Sequence, residues 1–291
     1  MGRAYVLTTA SKAGTTGGTF ADSLSANTGD SLTVANYGGD PSISAARVTE
    51  MWAIDSTSVA EVSFVYTRPQ STHDQQRGVR FSIPALVPGG ANSVAAHNVL
   101  SGYGTIDVYK SDLATINATT TAADNILMSY VIQYDDLPGV SGVFATWDQV
   151  QALQVSAVGI NSAAQASGTR GAYGATRAFN ADDDRLHANT WYALLGWTVR
   201  TQVTTISLIG PDWGGQRIGG PAGVLNLDNS TWFVDQDIKW RALAHTSPGG
   251  LIPCFNSNNK GNVLIQVADG AASTTPQIDF LLYELSSQPG V

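Results

Sequence analysis

The hydrophobic positions of this chain fall in short runs with a period of two, and Gly, Pro, Asn and Asp separate one run from the next. Val48, Glu50, Trp52 and Ile54 share one face of such a stretch, and Val59 to Tyr66 forms another, rich in β-branched and aromatic residues. The short link 55–58 between them predicts a β-hairpin. The pattern continues at 79–83, 103–109 and 126–134, where it runs into the turn-forming sequence Asp135-Asp136-Leu137-Pro138-Gly139. Further strands are expected at 153–160, 191–199, 203–209, 232–240, 251–255, 263–267 and 278–285. The last is continuously apolar in places (Ile278, Phe280, Leu281, Leu282), which predicts burial on both faces.

One segment departs from this period. Thr146 precedes Trp147 to Leu153, and Gln149 follows it by three positions, the signature of a short helix opened by a capping box. Residues 1–46 are dominated by Thr, Ser, Gly, Ala and Asn, and the Gly/Thr-rich stretch Lys12 to Gly18 predicts a flexible arm. Residues 161–189 show no sustained period and read as a long functional or mobile loop. About a dozen strands with no helices alternating between them predict an all-β fold. The expected form is a jelly-roll barrel or sandwich with long loops or a β-rich insertion and one short helix. It is expected as a single domain over 1–291, with the arm at about 1–46 and an inserted, projecting subdomain at 67–102 or 161–190. No fixed internal period points to a propeller or solenoid.

Composition adds a surface. Charged residues make up 13% of the chain, about half the usual share of roughly 25%. Hydrophobic residues stand at 43%, so the chain folds, and its uncharged exterior suits contact with neighbours. A net charge of −8 opposes a nucleic-acid-coating role, which depends on Lys and Arg displacing counterions. The charges present are grouped. Arg68, Asp74, Arg77 and Arg80 lie in one loop, and Arg170, Arg177, Asp182, Asp183, Asp184 and Arg185 in another, read here as a subunit-contact loop that sets orientation. Asp182 to Asp184 also have a second reading, a hard-cation site, although the loop spacing of calcium ligands is absent.

Motifs for chemistry are incomplete. The lone Cys254 excludes an internal disulfide and a cysteine zinc cluster, and reads as a small buried hydrophobe. His73, His97, His187 and His245 are too far apart to form a short-spaced metal pair. The glycine-rich run Trp213 to Gly223 lacks the Lys-Ser/Thr of a phosphate loop, and reads as a long turn whose glycines permit close packing. Gly102-Tyr103-Gly104 is half of a dinucleotide fingerprint, and in Gly139-Val140-Ser141-Gly142 the next residue, Val143, replaces the glycine of a nucleophile elbow. No enzyme and no cofactor are expected. Seven tryptophans read as core or subunit contacts, with a sugar-stacking platform as the alternative. No apolar run reaches the ~18 residues of a membrane span, and the apolar start is too short for a signal peptide, so synthesis and folding in a cytoplasm are expected.

The Gly/Thr-rich arm, the many jelly-roll-like strands, the low charge and the paired apolar ending (Gly261 to Val267, Gln277 to Leu285) together resemble viral capsid proteins. Length and texture are similar to the larger major capsid protein of tailless, icosahedral, internal-membrane phages of thermophilic bacteria, the single vertical β-barrel lineage. The resemblance spans the chain and contains no diagnostic motif, so it assigns no role to any one residue. It implies a place in the virion as an upright barrel on a membrane-lined shell, with a projecting β-rich turret. The implied partners are other copies of the chain, a second, smaller capsid protein and, peripherally, the internal viral membrane, with no nucleic acid. A carbohydrate-binding β-sandwich, such as a phage-fibre or lectin-like receptor-binding module, is the alternative. A β-rich hydrolase would need two carboxyls at a set separation across a cleft.

Overall fold

A computed structural model describes residues 2–13, 19–23, 46–55, 59–67, 79–83, 106–108, 113–120, 125–137, 142–165, 173–179, 185–199, 203–215, 217–221, 234–236, 250–269 and 275–290. The first part of the chain supplies β1 (Gly2–Ala13), β2 (Thr19–Ser23), β3 (Ala46–Asp55), β4 (Val59–Thr67), β5 (Val79–Ile83), β6 (Ile106–Val108), β7 (Leu113–Thr120) and β8 (Asn125–Leu137). These divide between two four-stranded sheets, ordered β1-β8-β3-β6 and β2-β7-β4-β5.

The second part supplies β9 (Phe144–Ala145), α1 (Trp147–Leu153), β10 (Gln154–Ala163), β11 (Arg177–Ala178), β12 (Trp191–Val199), β13 (Val203–Ile209) and β14 (Arg217–Pro221). It continues with β15 (Val234–Gln236), β16 (Ile252–Asn256), a 3-10 helix (Ser257–Asn262), β17 (Leu264–Asp269) and β18 (Gln277–Leu285). Six strands form one sheet, β10-β18-β12-β16-β9 with β15 also on β12, and four form another, β11-β17-β13-β14. Every described strand pair is antiparallel. β14 also packs against β1 and β8, which joins the two parts of the chain. The fold is all-β, with α1 as the one α-helix among the described residues.

The best-described core lies between the six-stranded sheet and the sheet centred on β17 and β13. Tyr192, Leu194 and Trp197 of β12 and Ile278, Phe280 and Leu282 of β18 are buried, as are Ile206, Leu208, Ile265 and Val267 of the facing sheet. Phe179, just after β11, ties the layers together: its ring lies 5.0 Å from Phe280 and 5.9 Å from Phe255. Such aromatic pairs contribute about 0.5–1.5 kcal/mol each beyond their area burial. Cys254 is fully buried, as its sequence context predicts, and burial pushes its thiol pKa up.

Several local expectations are corrected. The hairpin over 55–58 does not form, because β3 pairs with β6 and β8 whereas β4 pairs with β5 and β7. A four-residue link suits a hairpin, but it also lets the chain step from one sheet to another, and only the long-range partners decide. Within β3 a bulge between Val48 and Glu50 interrupts the alternation, and the neighbours Thr49 and Glu50 are both buried. Asp135 and Asp136 stay in β8 instead of turning, since the strand continues to Leu137 opposite Gly2.

Within the segment expected to be an arm, the described residues are strands: β1 runs beside β8 and β2 pairs with β7, while 14–18 and 24–45 lie outside the described residues. Thr, Ser and Ala in β1 carry no clear hydrophobic period, so the partner strand supplies what the pattern does not. β18 alternates cleanly: Ile278, Phe280 and Leu282 are buried, whereas Leu281 is only half-buried, so burial on both faces is incorrect. The glycine-rich run divides into a tight turn at 210–215 and the strand β14. The loop 161–189 is shorter than expected, because β10 extends to Ala163 and β11 pairs with β17.

Candidate assembly surface

β10 stands at the edge of the six-stranded sheet. On one side it pairs with β18 from Gln154↔Leu285 to Ala163↔Gln277, and among the described residues no strand pairs with the other side. The amide of Ala164 donates to Pro276 O at 2.9 Å, continuing that ladder by one step. In an antiparallel ladder the residues that exchange backbone bonds alternate with those that do not. Residues 158, 160 and 162 therefore bond to β18, and the exposed Ala157 and Gly159 turn their backbone N–H and C=O away from it. Arg185 marks the same geometry, since its Nη1 donates to Gly159 O at 2.7 Å.

The composition of this edge is unusual. The strand reads Gln-Val-Ser-Ala-Val-Gly-Ile-Asn-Ser-Ala, with neither charge nor proline. Val155 is 60% exposed and is the one large hydrophobic side chain exposed among the described residues. Ala157 and Gly159 are exposed too, and a methyl group added at Gly159 would meet nothing within 4 Å. Edge strands are normally guarded by lysine, proline, inward-pointing charge or a bulge. β10 has the bulge between Gln154 and Ser156 and the Arg185 guanidinium on Gly159 O.

Polar groups hold the neighbouring face in place. Asn161 Nδ2 donates to Asp279 Oδ1 at 2.7 Å, across the pair Asn161↔Asp279. Glu284 accepts from Ser156 Oγ at 3.2 Å and lies 3.2 Å from Nδ1 of the exposed His187. The amide of His187 donates to the Tyr192 hydroxyl at 2.8 Å, and burial raises the Tyr192 pKa. α1 lies over the outer face of β18, with Val150 buried and the Trp147 ring 6.1 Å from Tyr283. Its capping box is complete: Thr146 Oγ1 accepts from the Gln149 amide at 3.2 Å, and Gln149 Oε1 accepts from the Thr146 amide at 2.8 Å. The chain after β18 returns to α1, where Ser286 N donates to Leu153 O at 2.9 Å and Gln149 Nε2 donates to Gly290 O.

Of the grouped charged positions singled out in the sequence, three are described, and Arg80 lies within β5 opposite Val65 rather than in a loop. Arg177 is exposed on β11, and Arg185 sits at the β10 edge, so the two belong to different sheets. Arg170 and Asp182 to Asp184 lie outside the described residues, as do His73, His97 and His245. Among the described residues no three His, Cys, Asp or Glu side chains are grouped to hold a metal ion. Trp197 and Trp213 belong to the core, whereas Trp147 and Trp191 are half-buried. Asp212 fastens the turn 210–215 to the 3-10 helix, accepting from Asn256 N and Asn259 Nδ2 at 2.9 Å. Arg217, almost fully buried, donates to Gln266 Oε1 at 2.6 Å and lies over the Tyr173 ring. Both arrangements bind parts of this chain to one another.

Sequence reasoning missed the β10 edge as a surface. Its neutrality and lack of proline were readable, but its place at the end of a sheet depends on pairing with β18, more than a hundred residues away. No protein-family model matches the chain, and no curated protein matches it in sequence.

Proposed function

We propose that this protein is a structural subunit of a viral shell, a jelly-roll major capsid protein that assembles with copies of itself and with a second, smaller capsid protein. The observation that carries the reading is the β10 edge: ten residues without charge of their own, with Val155 exposed, in a chain of which 13% is charged. A protein that works alone is expected to guard such an edge, and one that works in an assembly uses it. Arg177, exposed on the neighbouring sheet, supplies an orienting charge. Arg185 is less suited to that role, because its guanidinium is engaged by Gly159 of its own chain.

Electron microscopy of the purified protein, alone and co-expressed with a smaller coat-protein partner, tests this. Shells or capsomers are the expected result, and a protein that sediments as a monomer at every concentration and forms no particle with a partner overturns it. Arg177→Glu is expected to lower the yield of assembled particles while leaving the circular dichroism spectrum unchanged.

A second reading, a carbohydrate-binding module, draws on the half-buried Trp147–Tyr283 pair on the same face of β18 as the Asn161–Asp279 bond. A glycan array without signal, together with tryptophan fluorescence unmoved by sugars, removes it.

A further inference from the structure

We infer that the peptide bond between Arg177 and Ala178 is a processing site, cut in the folded chain by an endoprotease whose primary pocket takes arginine, and that the cut leaves two interlocked pieces. The inference goes beyond the assembly reading and does not rest on it.

Residues 173–179 run along β17 as a strap fastened at both ends. At one end Tyr173 bridges to Ala268, and its ring centroid lies 5.6 Å from Arg217 Cζ. The amide of the buried Gly174 donates to Val267 O at 2.9 Å, and its carbonyl accepts from Gln266 Nε2 at 2.9 Å. At the other end the Phe179 amide donates to Val263 O at 2.7 Å, and the Phe179 ring is fixed in the core beside Phe280 and Phe255. Between these anchors Ala175, Thr176, Arg177 and Ala178 are all exposed, and β11 holds to β17 through two ladder pairs, Arg177↔Ile265 and Ala178↔Leu264. A protease draws an extended run of substrate into its cleft, and an exposed stretch of small and polar residues opens to it most readily. Ala-Thr-Arg-Ala presents three short side chains around one arginine. Arg185 and Arg217 are less open, since Leu186 and Ile218 that follow them are buried, and Lys260 lies within the 3-10 helix.

Hydrolysis adds water across the bond. The water oxygen joins the Arg177 carbonyl carbon, the C–N bond breaks, and both water protons end on the Ala178 nitrogen. The products are a carboxylate on Arg177 and an ammonium on Ala178, which together leave the net charge of −8 as it was. The pieces stay together because the sheets are built from both. β9 and β10 lie upstream of the cut, yet β10 pairs along β18 and β9 pairs with β16, both downstream. What changes is the charge group expected as a subunit-contact loop: Arg170 and Arg177 go with the first piece, and Asp182 to Asp184 and Arg185 with the second. The cut therefore unties the two halves of that group without dismantling the sheets. A neighbour docked over Arg177 would shield the bond, so the cut belongs to the free chain.

Trypsin, added at a low ratio to the full chain in native buffer, is the probe, with fragments identified by mass spectrometry and the digest run on size exclusion without denaturant. The expected result is a fragment that begins at Ala178 and co-elutes with its upstream partner at the volume of the parent until denaturant separates them. Arg177→Gln is expected to slow the appearance of that fragment at least tenfold with the circular dichroism spectrum retained. Arg177→Lys is expected to restore it and to make the same bond the target of a lysine-directed protease, which leaves the parent uncut there. If Arg177→Gln fails to fold, Arg177→Lys with the two proteases alone reads the site. Cuts confined to other bonds, with the bond after Arg177 intact, overturn the processing site, as does a cut after Arg177 that appears only in denaturant. Pieces that part in native buffer overturn the interlock.

Discussion

Cys254 shows how burial sets the behaviour of one side chain. Its thiol makes no contact with water, and desolvation holds the pKa above the ordinary value of 9.0. The folded state therefore keeps its proton at a pH where the unfolded chain releases it. The resulting stability is complete below pH 9 and is lost progressively as pH rises beyond it; Tyr192, raised from 10.0 by burial, acts in the same direction. Chemical denaturation at pH 7 and pH 10.5 is expected to show lower stability at the higher pH, with a smaller difference in Cys254→Ala. Glycines give a second residue-scale test. A methyl group at Gly210 would lie 3.0 Å from the Trp213 ring, so Gly210→Ala is expected to cost about 1–3 kcal/mol. Gly215 has open space but a φ of +73°, and Gly215→Ala is expected to cost roughly 1–2 kcal/mol through backbone strain alone. Thermal melts of the two variants check both. The close approach expected of the run Trp213 to Gly223 is not found at Gly215; the tight contact is at Gly210, just before the run, and no local signal pointed to its partner, the Trp213 ring.

At the scale of elements, α1 was the most legible, because its capping box is a local signal that needs no distant partner. Thr146→Ala removes the Oγ1 acceptor of the Gln149 amide and is expected to cost about 1 kcal/mol. Hydrogen exchange should show faster exchange at the Gln149 amide and, through the Gln149–Gly290 bond, loosening after β18. β5, β12 and β13 begin and end where their β-branched and aromatic runs do. β1 escaped notice because its Thr, Ser and Ala positions rely on β8 for definition, and β7 (Leu-Ala-Thr-Ile-Asn-Ala-Thr-Thr) for a related reason, with only two large apolar residues in eight. The β3–β4 link shows the opposite failure, where a good local signal gave way to long-range pairing. The β10 edge shares that cause: neutrality is a property of the segment, whereas being an edge is a property of the sheet.

For the whole molecule, the first strand is structural. β1 lies along β8 and against β14, so it joins sheets formed by both parts of the chain. Removal of residues 2–13 is expected to lower the melting temperature and to increase binding of a hydrophobic dye, because β8 loses a neighbour over its full length. A dispensable arm would leave both measurements unchanged. Sheets built from partners far apart in sequence, such as β1 with β8 and β10 with β18, also predict refolding on the scale of milliseconds to seconds or slower, measurable by stopped-flow fluorescence.

The buried thiol also leaves the protein chemically silent on its outside, with its lone cysteine shielded from reagents. A cysteine introduced at Val155 would be the one reactive thiol and would accept a nitroxide without removal of the native residue. Pulsed dipolar spectroscopy on assembled protein would then read the distance between labels on neighbouring copies. The shielded sulfur thus makes the molecule its own ruler for the contact between copies.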